Sequence, residues 1–168
     1  MGDVKHLNQQ DAIEKMREIA EAANICIFVT NINQAPLSAV PMATQKVDDE
    51  GNVWFMSGGD SNHNANIKQD DRVQLFYSNT GKYEYLNIFG YAAIVKDRNL
   101  IEEMWTPMAK TWFDGKDDPN LTLIKVSPEE AYYWDTKDSK MVSLAKFVIG
   151  SMGIKTDDGG VEGELNVR

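Results

Sequence analysis

Ser57, Ser61 and His63 stand close together in the run Asn52–Asp71, with Gly58 and Gly59 between the two serines. Upstream, Asn52-Val53-Trp54-Phe55-Met56-Ser57 is short, apolar and rich in strand formers. Downstream, Asn62 to Gln69 carries Ile67 on a polar background, and Ser61 has the side chain of a helix cap. The order is strand, glycine turn, helix. A helix start exposes N–H groups without intrahelical partners and the positive end of the peptide dipoles. Glycines let the backbone approach a ligand closely. Two hydroxyls and an imidazole added to that geometry suit an anion such as a phosphate. Asp60 opposes it with a charge in the same loop, and an ordinary capped turn is the competing reading.

Residue types argue against other chemistries. No Gly-x-Gly-x-x-Gly precedes a helix, and there is no Walker loop and no Gly-x-Ser-x-Gly elbow. The chain has two histidines, His6 and His63, and one cysteine, Cys26. A histidine-bound zinc would need both histidines, and nothing in the sequence brings them together. Cys26 sits in an apolar run, which predicts a buried thiol and not the nucleophile of a Cys26/His63 pair. Asp114-Gly115-Lys116-Asp117-Asp118-Pro119-Asn120 is rich in oxygens but lacks the alternating ligands and closing glutamate of an EF-hand loop, so it reads as a solvated turn. No side chain stands out as a catalytic acid or base, and redox chemistry would have to come from a cofactor.

The elements that would position the serine loop follow in chain order. Ile13, Met16, Ala20 and Ala23 put an apolar stripe on a helix over residues 9–23, with Asn8 as its cap and Leu7 as a staple. Residues 25–30 predict a strand, apolar on both faces. Residues 36–46 predict a second strand, in which Pro41 marks an edge, a bulge or a position whose N–H no neighbour needs. Asp48-Asp49-Glu50-Gly51 turns the chain into the strand before the serine loop. Residues 73–78 and 83–96 predict two more strands, the longer one bent at Gly90. Ile101, Met104, Trp105, Met108 and Trp112 keep helical spacing after an Asp97 cap, with a kink or restart at Pro107. That stripe predicts packing over a barrel mouth, with burial against a second subunit as the alternative. Residues 121–126 and 131–135 predict a last strand interrupted at Ser127-Pro128-Glu129-Glu130. Residues 139–152 predict a helix bearing Met141, Leu144, Ala145, Val148 and Met152. Short turns between most strands point to an antiparallel barrel or sandwich. Residues 1–155 are read as one domain and 156–168 as a mobile tail.

The formal net charge is -9, from 26 acidic and 17 basic residues. Such a surface repels nucleic acid and anionic membranes. Residues 1–24 hold no apolar signal core, and the longest apolar run, Ile25 to Val29, is far too short to span a bilayer. A soluble cytoplasmic protein is expected.

Four stretches resemble the pyridoxamine 5'-phosphate oxidase-like split barrels, and among them the general stress protein 26 branch. Pro41-Met42 stands where that branch tends to have Arg-Pro-Met. Trp54-Phe55-Met56-Ser57 followed by Asp60-Ser61 is similar to its strand and phosphate loop. Asp97-Arg98, Met104-Trp105-Thr106-Pro107, Trp112-Phe113 and Gly115-Lys116-Asp117-Asp118-Pro119 resemble its middle signature, the most specific of the four. Ser127-Pro128 followed by Tyr133-Trp134-Asp135 resembles its last strand. Together they cover residues 10–137.

The resemblance implies a mainly β protein with flanking helices, a six-stranded antiparallel split β-barrel of the FMN-binding type. It implies a homodimer with flavin mononucleotide at the subunit interface. The isoalloxazine would lie along Val40, Pro41, Met42, Ala43 and Thr44. The phosphate would sit at Ser57, Ser61, Asn62 and His63, with Met56 beside them. Tyr85 would face the flavin, and Trp134 would come from the partner subunit. The implied function is a flavoprotein, an oxidoreductase linked to stress response that works with a small-molecule electron donor or acceptor. A non-catalytic flavin carrier is the alternative, as is a barrel holding another ligand such as a deazaflavin. The chain departs from the family at the phosphate. The arginine of the second strand falls on Ala39 or Val40, and the basic pair of the loop on Asn62 and His63. Each lost charge-assisted bond is worth about 1.5–3 kcal/mol. His63 replaces one charge below neutral pH, and Lys68 offers another. A true pyridoxamine phosphate oxidase is not expected. Its lysine is replaced by Gln45, and its Arg-Leu-His by Asp135-Thr136-Lys137-Asp138.

Overall fold

Closure of the sheet follows from which strand edges find partners. A computed structural model describes Gln9–Asp135 and the backbone of Val161–Leu165. The elements are α1 (Gln9–Ala23), β1 (Ile25–Thr30), β2 (Ser38–Val47), β3 (Val53–Gly58), α2 (Asn62–Gln69), β4 (Arg72–Asn79), β5 (Glu84–Val95), α3 (Arg98–Met104), a 3-10 turn (Pro107–Thr111), β6 (Leu121–Asp135) and β7 (Val161–Leu165). Strand order is β3-β2-β1-β4-β5-β6-β7, and β3 also pairs with β6. All pairings are antiparallel. The β3–β6 pairing closes six strands into the expected antiparallel barrel. The cap Asn8, the staple Leu7, His6 and the 139–152 helix lie outside the described residues. No helix among the described residues is long and apolar enough to cross a membrane.

The barrel interior is filled from both sides. Ile13, Met16, Ile19 and Ala20 of α1 pack on Phe28, Phe55, Leu75, Ile88 and Val126. Phe28 and Phe55 meet edge to face, ring centroids 5.2 Å apart, which favours the pair beyond its buried area. A second cluster lies outside the barrel wall, where Ile101 and Met104 of α3 cover Trp54, Leu121 and Leu123 together with Phe113. The β2–β3 turn is tied to α1 by Arg17, whose guanidinium donates to Val47 O (3.1 Å) and Asp48 O (3.0 Å).

Three expectations are corrected. The 121–135 segment is one strand: Ser127-Pro128-Glu129-Glu130 does not interrupt it. Leu121–Val126 pairs with β3 and Ala131–Asp135 with β7, so Pro128 falls where β6 changes partners on that side and its missing N–H costs no ladder bond there. Across the other edge the β5–β6 register shifts between Phe89 and Gly90. The 156–168 region, read as a tail, contains β7. The aromatic stripe is only half covered. Trp105 leaves the helix (φ -62°, ψ 127°) and Pro107 restarts the chain as a 3-10 turn. That re-phases the side chains: Ala109 and Phe113 are buried, while Met108 and Trp112 are 69% and 68% exposed.

Candidate functional site

β2 and β3 part company at one end. Their ladder joins Thr44, Lys46 and Val47 to Phe55, Trp54 and Val53, with a bulge at Gln45, and no residue of β2 before Thr44 pairs with β3. The far edge of β3 at Met56–Gly58 is likewise without β2. Thr44 N–H donates to Asn24 O (2.7 Å), on the β1 side. Strand alternation then turns the backbone groups of Ala39, Pro41 and Ala43 to the open edge. Pro41 thus stands where no ladder N–H is required, as its residue type predicts. Val40 and Met42 point their side chains inward against the main core. Pro41 and Ala43 are exposed on the outer face.

The serine loop begins where β3 leaves β2. Ser61 caps α2, its Oγ accepting from Asn64 N–H at 3.2 Å. The loop is fixed from β6's start: Gly59 N–H donates to Asn120 O (2.7 Å) and Asp60 N–H to Asn120 Oδ1 (3.1 Å). Behind it lies a buried polar cluster. Ser57 Oγ contacts His63 Nε2 (2.9 Å) and donates to Asn64 Oδ1. Asn64 Nδ2 donates to Thr122 Oγ1 (3.0 Å), and Thr122 Oγ1 to Ser57 O (2.9 Å). Asn64 is fully buried, and Ser57 and Thr122 nearly so. His63 is half-buried against Phe28 (centroids 6.4 Å), and burial holds its pKa below the ordinary histidine value. The first N–H groups of α2, on Asn62 and His63, have no intrahelical acceptor.

The structure therefore joins Ser57, Ser61, Asn62 and His63 into one corner, with the Pro41–Ala43 edge as the neighbouring β2 wall of the split. Other expected residues stand elsewhere. Thr44 turns its hydroxyl into the barrel, onto Tyr77 Oη at 2.6 Å. Met56 packs its side chain on the second cluster under α3. Lys68 lies in the last turn of α2, about 9 Å along the axis from the helix start, and its side chain is exposed. Cys26 is buried and its thiol is pushed up to about 12 by that burial, which removes it as a nucleophile. Tyr85 and Trp134 are cross-strand partners on the outer face. Tyr85 is three strand steps from Ala43, about 14 Å along the curved sheet. Asn64, Thr122 and Asn120 are site residues that sequence reasoning does not find. Local sequence carries no signal for them, because Asn64 meets Thr122 from 58 positions away.

A family model described as pyridoxamine 5'-phosphate oxidase like matches residues 11–158. General stress protein 26 of Bacillus subtilis (strain 168) is 35% identical over 60 residues, 36% of this chain and 43% of that protein. Protein bli-3 of Neurospora crassa is 27% identical over 109 residues, 58% of this chain and 52% of that protein. The chain thus spans about half the length of the curated relatives it matches. The general stress protein 26 structure from Bacillus anthracis str. Sterne aligns with TM-score 0.65 and 23% identity, over 72% of this chain and 92% of that one. A Xanthomonas citri structure, described as a general stress FMN/FAD binding protein, aligns with TM-score 0.67 and 25% identity, over 83% and 99%. The family match runs from α1 across the whole barrel, and on that ground the chain belongs to the pyridoxamine 5'-phosphate oxidase-like family.

Proposed function

We propose that the protein is a flavin mononucleotide-binding split barrel that works as a cytoplasmic homodimer in redox chemistry. The observation that carries this reading is the split itself. The unpaired edge of β2 at Ala39–Ala43 stands beside the freed end of β3, and the start of α2 lies on its rim. A flat ring laid on that edge would meet backbone groups of Ala39, Pro41 and Ala43. Its phosphate would reach the N–H groups of Asn62 and His63, the Ser61 hydroxyl and the His63 ring. These donors fit a phosphate, although the loop holds no lysine or arginine. The Xanthomonas citri relative, named for FMN/FAD binding, supports the same choice. Bound flavin would supply the electron transfer, and the chain would supply shape, hydrogen bonds and exclusion of water.

A second copy is part of the reading. Ala43, Pro41, Ile25, Ile27, Phe76, Tyr85 and Trp134 share one exposed face across β2-β1-β4-β5-β6. So much apolar surface on one face marks an interaction site. Tyr85 and Trp134 are too far from the β2 edge to share its ligand within one chain, and a partner subunit would bring them there. A true pyridoxamine phosphate oxidase is disfavoured by two contacts. Gln45 turns its amide back onto Ala43 O (3.2 Å), and Asp135 is held by Lys15 Nζ (2.6 Å). Neither forms a clamp for a substrate phosphate.

Flavin carriage without turnover is the second reading. It is favoured by the rim, where His63 and Asp60 are the titratable side chains of the loop: His63 turns Nε2 onto Ser57 Oγ and Asp60 is exposed to solvent. Saturating flavin mononucleotide is expected to raise the melting temperature, because a ligand of the native state must do so. No shift would remove flavin from the account. Rapid flavin reduction by a reduced nicotinamide would favour the oxidoreductase over the carrier.

A further inference from the structure

The hydrogen atoms of the Ser57–Asn64–Thr122 cluster can be placed by elimination. Thr122 Oγ1 lies 2.9 Å from the Ser57 carbonyl oxygen, which can only accept, so the Thr122 hydroxyl donates there. Asn64 must then turn its amide hydrogens to Thr122 Oγ1 (3.0 Å) and its oxygen to Ser57. That oxygen takes the Ser57 hydroxyl proton. Gly58 O is another acceptor, at 3.4 Å. Sending the proton there would leave Ser57 Oγ and Asn64 Oδ1 facing each other with no hydrogen between them. With its proton committed, Ser57 Oγ can only accept from the imidazole, so His63 Nε2 carries a hydrogen across the 2.9 Å contact. Nδ1 is then bare whenever the ring is neutral. It has no hydrogen-bond partner among the described residues. It is also not buried, because every buried side-chain nitrogen or oxygen among them has one.

The groups around the ring leave it uncompensated. Phe28 of β1 and Ser57 of β3 face it, and neither strand carries a charged side chain. β5 also packs on α2, and its one charged residue, Glu84, accepts from Asn79 Nδ2 at 3.0 Å. β6 contributes neutral Thr122 to the cluster. On the same loop and helix, Asp60 and Lys68 are exposed. Burial disfavours the charged ring, so the free His63 ring is mainly neutral near pH 7, while Asp60 remains the loop's own charge.

We propose that this locked tautomer makes anion capture by the serine loop proton-coupled: His63 Nδ1 opposes a phosphate while the ring is neutral and donates to it once one proton is taken from solvent. Its physiological meaning rests on the flavin mononucleotide reading, whereas the lock itself does not. Ser57 is a positioning residue that fixes which nitrogen meets the anion. A cofactor phosphate held this way loosens as pH rises, and flavin lacking the phosphate is indifferent.

The test is 15N NMR of histidine-labelled full chain, where His63→Ala separates the signals of the two histidines. The free protein is expected to show His63 as the Nε2–H tautomer, and inorganic phosphate or flavin mononucleotide to convert it to imidazolium. Ser57→Ala is expected to mix the two tautomers. In parallel, the wild-type to His63→Ala ratio of flavin mononucleotide affinities is followed with pH, which cancels the phosphate's own titration near pH 6. The ratio should rise by up to about tenfold per unit fall in pH where the free ring is neutral and the bound ring charged. Riboflavin should show no such rise. An Nδ1–H tautomer in the free protein, or a ring left neutral under both saturating ligands, would overturn the proposal. If neither flavin binds but phosphate still protonates His63, proton coupling stands and the flavin reading falls.

Discussion

His63 and Ser57 meet because six positions of chain separate them across a tight turn, so their nearness is legible in sequence. Asn64 is different. Its partner Thr122 is 58 positions away, and only the β3–β6 register, Ser57 opposite Thr122, brings them together. Local spacing carries no trace of that register. The cluster makes a stability prediction: Asn64→Leu leaves the Ser57 hydroxyl and Thr122 Oγ1 short of a partner in a buried site. A loss of about 2–3 kcal/mol is expected, seen as a fall of roughly 5–10 °C in melting temperature. Asp48 makes another. Burial opposes its charge, but Trp54 Nε1–H (2.8 Å), the Asn52 side chain and the N–H groups of Asn52 and Glu50 outweigh it and hold the carboxyl below its ordinary range. A depressed carboxyl stabilises the fold fully above its unfolded value, and that contribution is lost as pH falls through the folded value. Asp48→Ala should therefore cost about 1–2 kcal/mol near neutral pH, and the gap to wild type in denaturant melts should narrow in acid. A gap that stays constant down to pH 2 would refute the charge assignment.

At the scale of elements, most strands announce themselves, because β-branched and aromatic runs between glycine, proline and asparagine turns carry local information. Long-range exchanges of partner do not. Ser127-Pro128 looks like a break, since proline removes a ladder donor. In the fold it sits between the last residue paired with β3 and the first paired with β7. The α3 stripe misleads for a related reason: its periodicity continues past Trp105, but the helix does not. Gly90 is the element-scale residue to change. A methyl there would strike the Ser127 carbonyl oxygen and lie 3.0 Å from Pro128 Cα, both backbone atoms that cannot step aside. Gly90→Ala should cost about 1–3 kcal/mol through overpacking, visible in the denaturation midpoint, whereas Gly115→Ala, with open space around it, should be near neutral.

At the scale of the molecule, the proposed site is incomplete in one chain. The Pro41–Ala43 edge and the Tyr85–Trp134 pair lie on one outer face but three or more strand steps apart. Sequence patterning shows β1 as apolar on both faces and cannot say which face waits for a partner. The fold answers half of that: Cys26 and Phe28 are buried in the barrel, while Ile25 and Ile27 are 52% and 44% exposed. A dimer is expected by light scattering. Ile27→Asp should shift it toward monomer by about 2 kcal/mol or more if the residue is central to the interface, and flavin mononucleotide affinity should fall with it. A wild-type monomer at micromolar concentration would remove the two-chain site.

Whether this split barrel holds a flavin through its β2 edge and serine loop is decided by the visible absorbance spectrum of freshly purified protein, followed by mass analysis of what denaturation releases. A flavin spectrum is expected, at once or after incubation with flavin mononucleotide, together with release of that molecule's mass. A protein that stays colourless after incubation with flavin mononucleotide and riboflavin would contradict it, and would turn attention to Val40 and Asn62, where the family's basic residues are missing.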